Sequence, residues 1–218
     1  MPVELTKDII ERAFDSVGRH AAARGIVIDI AVFGGSCLIL ASDIRGASGD
    51  VDAVFLAGGP AVYEISAQVA REMGLTDDWL NEGVKHYAYP PGNPGPNILP
   101  YDDYPRDGTS AVGLRVFLPM PQYMLAMKML ANRFEDDIDK IKSDIGDAVG
   151  LMKVAKITTK EALVALMIEC YPGIPGLVDP LARRMKAKID TLVDAYANAI
   201  EEPDPTWNAG TGPATRKI

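Results

Sequence analysis

Residues 26 to 40, IVIDIAVFGGSCLIL, constrain this chain more than any other stretch. Ile26 to Phe33 is rich in β-branched residues and reads as a mostly buried strand, which Gly34 and Gly35 close with a tight turn. Ser36 is expected to cap a short helix, CLILA, and after a Gly-Ala-Ser-Gly loop the chain enters a second strand, DVDAVFLA, from Asp50 to Ala57. Strand, glycine turn, short helix and strand in that order make the chain α/β in the broad sense, or α+β, with a small mixed sheet flanked by helices.

The remaining segments fit around that unit. Ile9, Ile10, Phe14, Val17 and Ala21 recur at helical intervals between Thr6 and Gly25, and a further helix is expected from Pro60, a favoured first helical position, to about Gly74. The stretch from Asp77 to Thr109 is dense in proline and glycine and is expected to form a helical turn around Trp79 and then a long irregular loop. AVGLRVFLP, residues 111–119, suits a third strand beside the first two. From Pro121 the pattern is helical throughout, with Thr158 and Glu161 at capping-box spacing and a last helix near residues 177–200. The expected organisation is therefore a sheet-bearing core over 1–119, a helical bundle over 120–202 and a tail, 203–218, that has little to bury and is expected to lack order.

Composition removes several function classes. No window approaches the ~18 consecutive apolar residues that a membrane span needs, so no membrane partner is expected. The charged, amphipathic start lacks the basic-then-apolar pattern of a secretory signal, and a cytoplasmic location is the expectation. Two cysteines, Cys37 and Cys170, in apolar surroundings read as free thiols, and two histidines leave a zinc site almost no ligands. Any metal should be hard and oxygen-bound. The formal net charge of −8 argues against a broadly basic nucleic-acid surface and leaves local patches such as Arg183, Arg184, Lys186 and Lys188, which read either as phosphate contacts or as a solvated helix face.

The second strand raises a chemical question, because Asp50 and Asp52 fall on one face of it. Two carboxylates side by side in apolar surroundings repel each other and lose hydration, and a divalent cation relieves both costs. Mg²⁺ suits such a pair, since it takes one or two carboxylates and completes its shell with water and phosphate oxygens. The Gly34-Gly35-Ser36 turn at a helix start offers open backbone N–H groups to an anion. Each signal has a plain alternative: a glycine turn that only packs, and a pair of acids that only face water.

Taken together, the order strand, Gly-Gly-Ser, short helix, Asp-hydrophobic-Asp resembles the signature of the nucleotidyltransferase fold of the DNA polymerase β type. The Arg45 to Ser48 stretch ahead of Asp50 is similar to that of the AbiEii and MenT-like toxin group, as are DDWLNEGV and the helical segment YMLAMKMLANRFEDDIDKI. The resemblance spans roughly residues 25–145. It implies that Gly34, Gly35, Ser36, Arg45 and Ser48 contact a nucleoside triphosphate, that Asp50 and Asp52 hold Mg²⁺ or Mn²⁺, and that Lys128 steadies the triphosphate. Asp137, or Asp136 beside it, would be an additional acid. It also implies transfer of a nucleoside monophosphate to a tRNA or protein acceptor, and a cognate antitoxin. The sequence departs from the pattern in two respects: the 111–119 strand carries no acid and offers Arg115, and Ser48 and Gly49 stand where the family often shows Thr and a basic residue. A nucleotide-binding or regulatory protein without turnover, and an enzyme that nucleotidylates small antibiotic-type molecules, are the alternatives.

Overall fold

The computed structural model describes residues 3–88, 95–108, 111–131, 138–172, 181–199 and 201–208. Within them the chain is mixed α/β, with seven α-helices and a five-stranded mixed sheet. It divides into two compact units, Met1–Met120 with Asn208–Ile218, and Pro121–Trp207. No helix among the described residues is long and apolar enough to cross a membrane.

In the first unit, α1 (Lys7–Ala23) precedes β1 (Ile28–Val32), α2 (Gly34–Ala41), β2 (Val51–Ala57) and α3 (Ala61–Met73). The sheet is completed by β3 (Leu80–Asn81), β4 (Ile98–Tyr104) and β5 (Leu114–Pro119), in the order β3-β2-β1-β5-β4. β1 runs antiparallel to β2 and parallel to β5, and β4 pairs antiparallel with β5. Of the first two strands, β5 therefore neighbours only β1. One sheet face, carrying Ile28, Ile30, Val32, Leu114, Val116 and Leu118, is removed from water; the alternate positions include Asp29, Arg115 and Asp52.

The expectation of an irregular loop reaching Thr109 needs correction, because the segment contains β4, whose sequence ILPYDDY hides a strand behind a proline and two acids. The position explains both: β4 is an edge strand, where Pro100 need not donate to a neighbour, and a register shift between Pro100 and Asp102 absorbs its geometry. Trp79, expected in a helical turn, anchors the opposite edge. Its ring is fully buried 6.4 Å from Phe14, its indole N–H donates to the Ser66 carbonyl at 3.0 Å, and its own carbonyl accepts from Val51 N–H, which brings β3 alongside β2.

Phe14 also meets Tyr104 edge-on at 5.5 Å, so one aromatic ring of α1 ties both ends of the sheet. This packing requires a bare backbone at Gly18 of α1: a Cβ there would lie 2.6 Å from the carbonyl carbon and oxygen of Tyr104 and 2.7 Å from Pro105 N. Gly113 similarly has no room, since a Cβ would collide with Gly18 O.

The second unit holds α4 (Pro121–Leu130), α5 (Ile138–Ala155), α6 (Lys160–Cys170) and α7 (Leu181–Asn198), with α4 packed on α5 and α6, and α5 on α7. Met124, Met127 and Met129 of α4 are core residues. The N-cap of α6 is Thr159, whose hydroxyl accepts from Ala162 N–H at 3.2 Å, and not Thr158, one residue earlier. Residues 203–208 of the expected disordered tail are described: Trp207 is half-buried, and Asn208 N–H donates to the Ala41 carbonyl at the end of α2. Residues 209–218 lie outside the described residues.

Two glycine-to-alanine substitutions should shift stability in opposite directions. Gly146, in α5, has no atom within 4 Å of the place a Cβ would take, so Gly146→Ala is expected to stabilise by about 0.5–1 kcal/mol through helix propensity. Gly18→Ala forces α1 off the Tyr104 backbone and is expected to destabilise by about 1–3 kcal/mol. Urea unfolding of the two variants checks both signs.

Candidate active site

The glycine turn and the second strand converge as the sequence suggests, with altered local roles. Phe33 is the N-cap of α2 and offers no side-chain cap, so the helix starts at Gly34 and Ser36 sits in its first turn, which corrects the expected Ser36 cap. The helix is short and its residues from Ser36 to Ala41 are all buried. Its first N–H groups have no partner within the helix. Ser36 is itself fully buried, and its hydroxyl donates to the backbone carbonyl of Asp50 at 2.5 Å. That hydroxyl pins the start of the acidic strand to α2.

Gly34 has a left-handed backbone, φ 63°, and a Cβ at this position would fall 2.5 Å from Oδ2 of Asp52. Glycine is therefore required twice over, by conformation and by the approach of the carboxylate. At Gly35 a Cβ would lie 2.6 Å from an Arg45 guanidinium nitrogen and 2.8 Å from the Ser48 hydroxyl. The loop bearing those two side chains is held by paired backbone bonds between Leu5 and Ser48, at 2.7 and 3.1 Å. Gly34, Gly35, Ser36, Arg45, Ser48, Asp50 and Asp52 thus form one cluster at one end of the sheet. Strand β2 begins at Val51, so Asp50 stands just ahead of it, and the Asp52 carbonyl accepts from Phe33 N–H at 2.8 Å.

Two polar residues that follow Trp79 take part: Asn81 beside the acid pair, and Glu82 further along β2. Asn81 donates to Asp50 Oδ2 at 3.1 Å, and Glu82 accepts from Phe55 N–H at 3.3 Å and from the Tyr63 hydroxyl. Burial pushes the Glu82 carboxyl upward, but Tyr63, Lys85 and the Phe55 N–H outweigh it and hold the group below its ordinary range. Both residues lie in DDWLNEGV, where the resemblance gives neither of them a role; their polarity just after a buried tryptophan was the available signal.

The described residues include no group of three or more His, Cys, Asp or Glu placed to hold a metal ion. The donor set that is present, two carboxylates, fits a hard cation that keeps most of its water, as Mg²⁺ does.

Lys128 belongs to the second unit, where its ammonium contacts Asp144 at 2.9 Å and Asp147 at 2.7 Å. Asp136 and Asp137 lie outside the described residues. The acids actually paired with Lys128 sit further along the chain on α5, and their three-residue spacing there could have suggested them. Lys188, expected in a basic patch, turns inward instead: its ammonium donates to the carbonyls of Lys128 and Ala131 at the end of α4, at 2.8 and 3.5 Å, while Arg183 and Lys186 are exposed. Arg115 is engaged as well, its Nε and one terminal nitrogen donating to the two Asp29 carboxylate oxygens at 2.7 Å, near the end of β1 away from the glycine turn.

Burial lowers the Lys188 ammonium to about 8, opposed by Asp144 and reinforced by Lys128. The unfolded value is about 10.4. Between these values the unfolded chain binds more protons at this position, so the stability contribution of Lys188 should rise as pH increases from about 8 toward the unfolded value. The unfolding free energy of wild type minus that of Lys188→Met, followed by urea titration, is expected to grow over this interval; a flat or falling difference would contradict the burial argument.

Comparison with family models, with curated proteins and with solved structures found no match.

Proposed function

We propose that this protein is a metal-dependent nucleotidyltransferase, which moves a nucleoside monophosphate from a nucleoside triphosphate to an acceptor hydroxyl. The observation that carries the reading is the convergence of an uncapped glycine helix start, the Arg45 and Ser48 side chains, and Asp50 and Asp52 in a single cluster. An anion and a cation therefore have adjoining places, which is what a nucleotide with its counter-ion requires.

Each group has a task in this reading. The first N–H groups of α2 receive phosphate oxygens, helped by the positive end of the helix. Arg45 adds charge and directional donors beside Gly35, and Ser48 a hydroxyl. The Ser36 hydroxyl is committed to the Asp50 carbonyl, so Ser36 offers its backbone and fixes the acids. Asp50 and Asp52 would hold Mg²⁺ or Mn²⁺, which when bound supplies the positive charge that offsets charge building on the phosphate oxygens. The acceptor hydroxyl oxygen attacks the α-phosphorus and gives up its proton to solvent, a new P–O bond forms, the bond from the α-phosphorus to the oxygen bridging to the β-phosphate breaks, and pyrophosphate leaves. The chain contributes mainly position and charge neutralisation. A tRNA end or a protein hydroxyl are the acceptors favoured by the resemblance, which also brings the toxin role and its antitoxin into the proposal.

A second reading, a protein that binds the nucleotide without turnover, draws on Lys128. Its ammonium is already held by two carboxylates of its own unit, so its charge is neutralised there.

Incubation with each α-labelled nucleoside triphosphate, Mg²⁺, total RNA and cell lysate distinguishes the readings. Wild type is expected to transfer label to a macromolecule, and Asp52→Asn to reduce transfer by about 100–1,000-fold, the scale for losing one group that stabilises transition-state charge, with its fold retained. Arg45→Ala should weaken nucleotide binding about 10–100-fold, since a charged hydrogen bond contributes roughly 1.5–3 kcal/mol. Metal-dependent binding without transfer would favour the second reading.

A further inference from the structure

The acid pair has a neighbour that the proposed reaction leaves without a task. Asn81 ends β3 in register with Asp52, and its amide nitrogen donates to Asp50 Oδ2 at 3.1 Å and to the Asp78 carbonyl at 3.3 Å. Its amide oxygen accepts from Gly83 N–H at 2.8 Å. These partners fix which way the amide points: a carbonyl can only accept and a backbone N–H can only donate, so nitrogen and not oxygen must face Asp50. Asp52 lies close by as well, since a Cβ on Gly83 would stand 2.9 Å from the Asn81 oxygen and 3.5 Å from Asp52 Oδ1.

We propose that Asn81 is a positioning residue for the cation site, holding the Asp50 carboxylate through a neutral donor so that the pair faces a common ligand. The inference rests on the reading of Asp50 and Asp52 as cation ligands. An amide suits this place for two reasons. It donates to a carboxylate without adding negative charge, and it leaves the pair with two acids instead of three. An aspartate here would have the same shape, yet it would turn the donor into a third repelling charge. Partners that orient a metal-binding carboxylate from outside the coordination shell commonly change metal affinity by about 10–100-fold. The anchoring runs back into the core, because Asn81 reaches Asp50 only while Trp79 holds β3 against Val51.

The test is Mn²⁺ binding by calorimetry to nucleotide-free full-length protein, with thermal melts in EDTA and in Mn²⁺, for wild type, Asn81→Ala, Asn81→Asp and Asp50→Ala/Asp52→Ala. Asn81→Ala is expected to keep its circular dichroism spectrum and bind Mn²⁺ at least tenfold more weakly. Asn81→Asp is expected to melt below wild type in EDTA and to gain more in melting temperature on adding Mn²⁺. A folded Asn81→Ala that binds Mn²⁺ as tightly as wild type overturns the positioning role and leaves the cation reading standing. Wild type that binds no more Mn²⁺ than the double variant overturns the cation reading and this inference with it. If Asn81→Ala does not fold, Asn81→Asp decides, and a Mn²⁺ gain no larger than that of wild type overturns the proposal.

Discussion

Holding two like charges side by side at the mouth of an apolar strand is the constraint around which the first unit is arranged. Both acids are half-buried, while Val51, Ala53 and Val54 beside them belong to the core. The chain therefore surrounds the acids with fixed partners. The Ser36 hydroxyl grips the backbone at Asp50, Asn81 grips its carboxylate, and Gly34 yields the space that Asp52 occupies. The aromatic packing of Phe14, Trp79 and Tyr104 fixes both margins of the sheet against α1, and through Trp79 it holds the segment that carries Asn81.

The helical unit handles charge in the complementary way. Buried lysines satisfy helix ends: Lys188 serves the last carbonyls of α4, and Lys153 serves those of Ala199 and Glu202 beyond α7. Such carbonyls are acceptors left over by every helix, and a cation near the negative end of the helix gains further from the dipole. Lys128, between Asp144 and Asp147, crosslinks α4 to α5. Several cations that sequence alone would place at a surface are thus structural, and only some of the basic residues of α7 face water.

Where local chemistry decides the structure, the sequence was readable. The strand ending in Gly34-Gly35, the short apolar helix and the acidic strand are each dictated within a few residues, and their order alone brought the site residues together in the reading. Longer-range conditions were not. β4 could not be recognised from ILPYDDY, because the tolerance for Pro100 comes from lying at a sheet edge, a property of the whole sheet. β3 is two residues long and carries no periodic signal; its place is set by a tryptophan side chain. The roles of Asn81 and Glu82 have only their polarity after Trp79 as a local signal, since Asp50 and Phe55, which they meet, are 31 and 27 residues away. The carboxylates of Lys128 lie 16 and 19 residues on, and only the packing of α4 on α5 selects them over nearer acids.

The brevity of β3 has a consequence of a different kind. It covers only Val51 and Asp52, and the outward N–H of Phe55 further along β2 would otherwise be open to a strand from another molecule. Glu82 occupies that donor with a carboxylate, which also takes the Tyr63 hydroxyl and Lys85. A side chain thus ends the sheet where the backbone does not, and the negative charge stands against intermolecular strand addition, the route by which exposed sheet margins lead to aggregation.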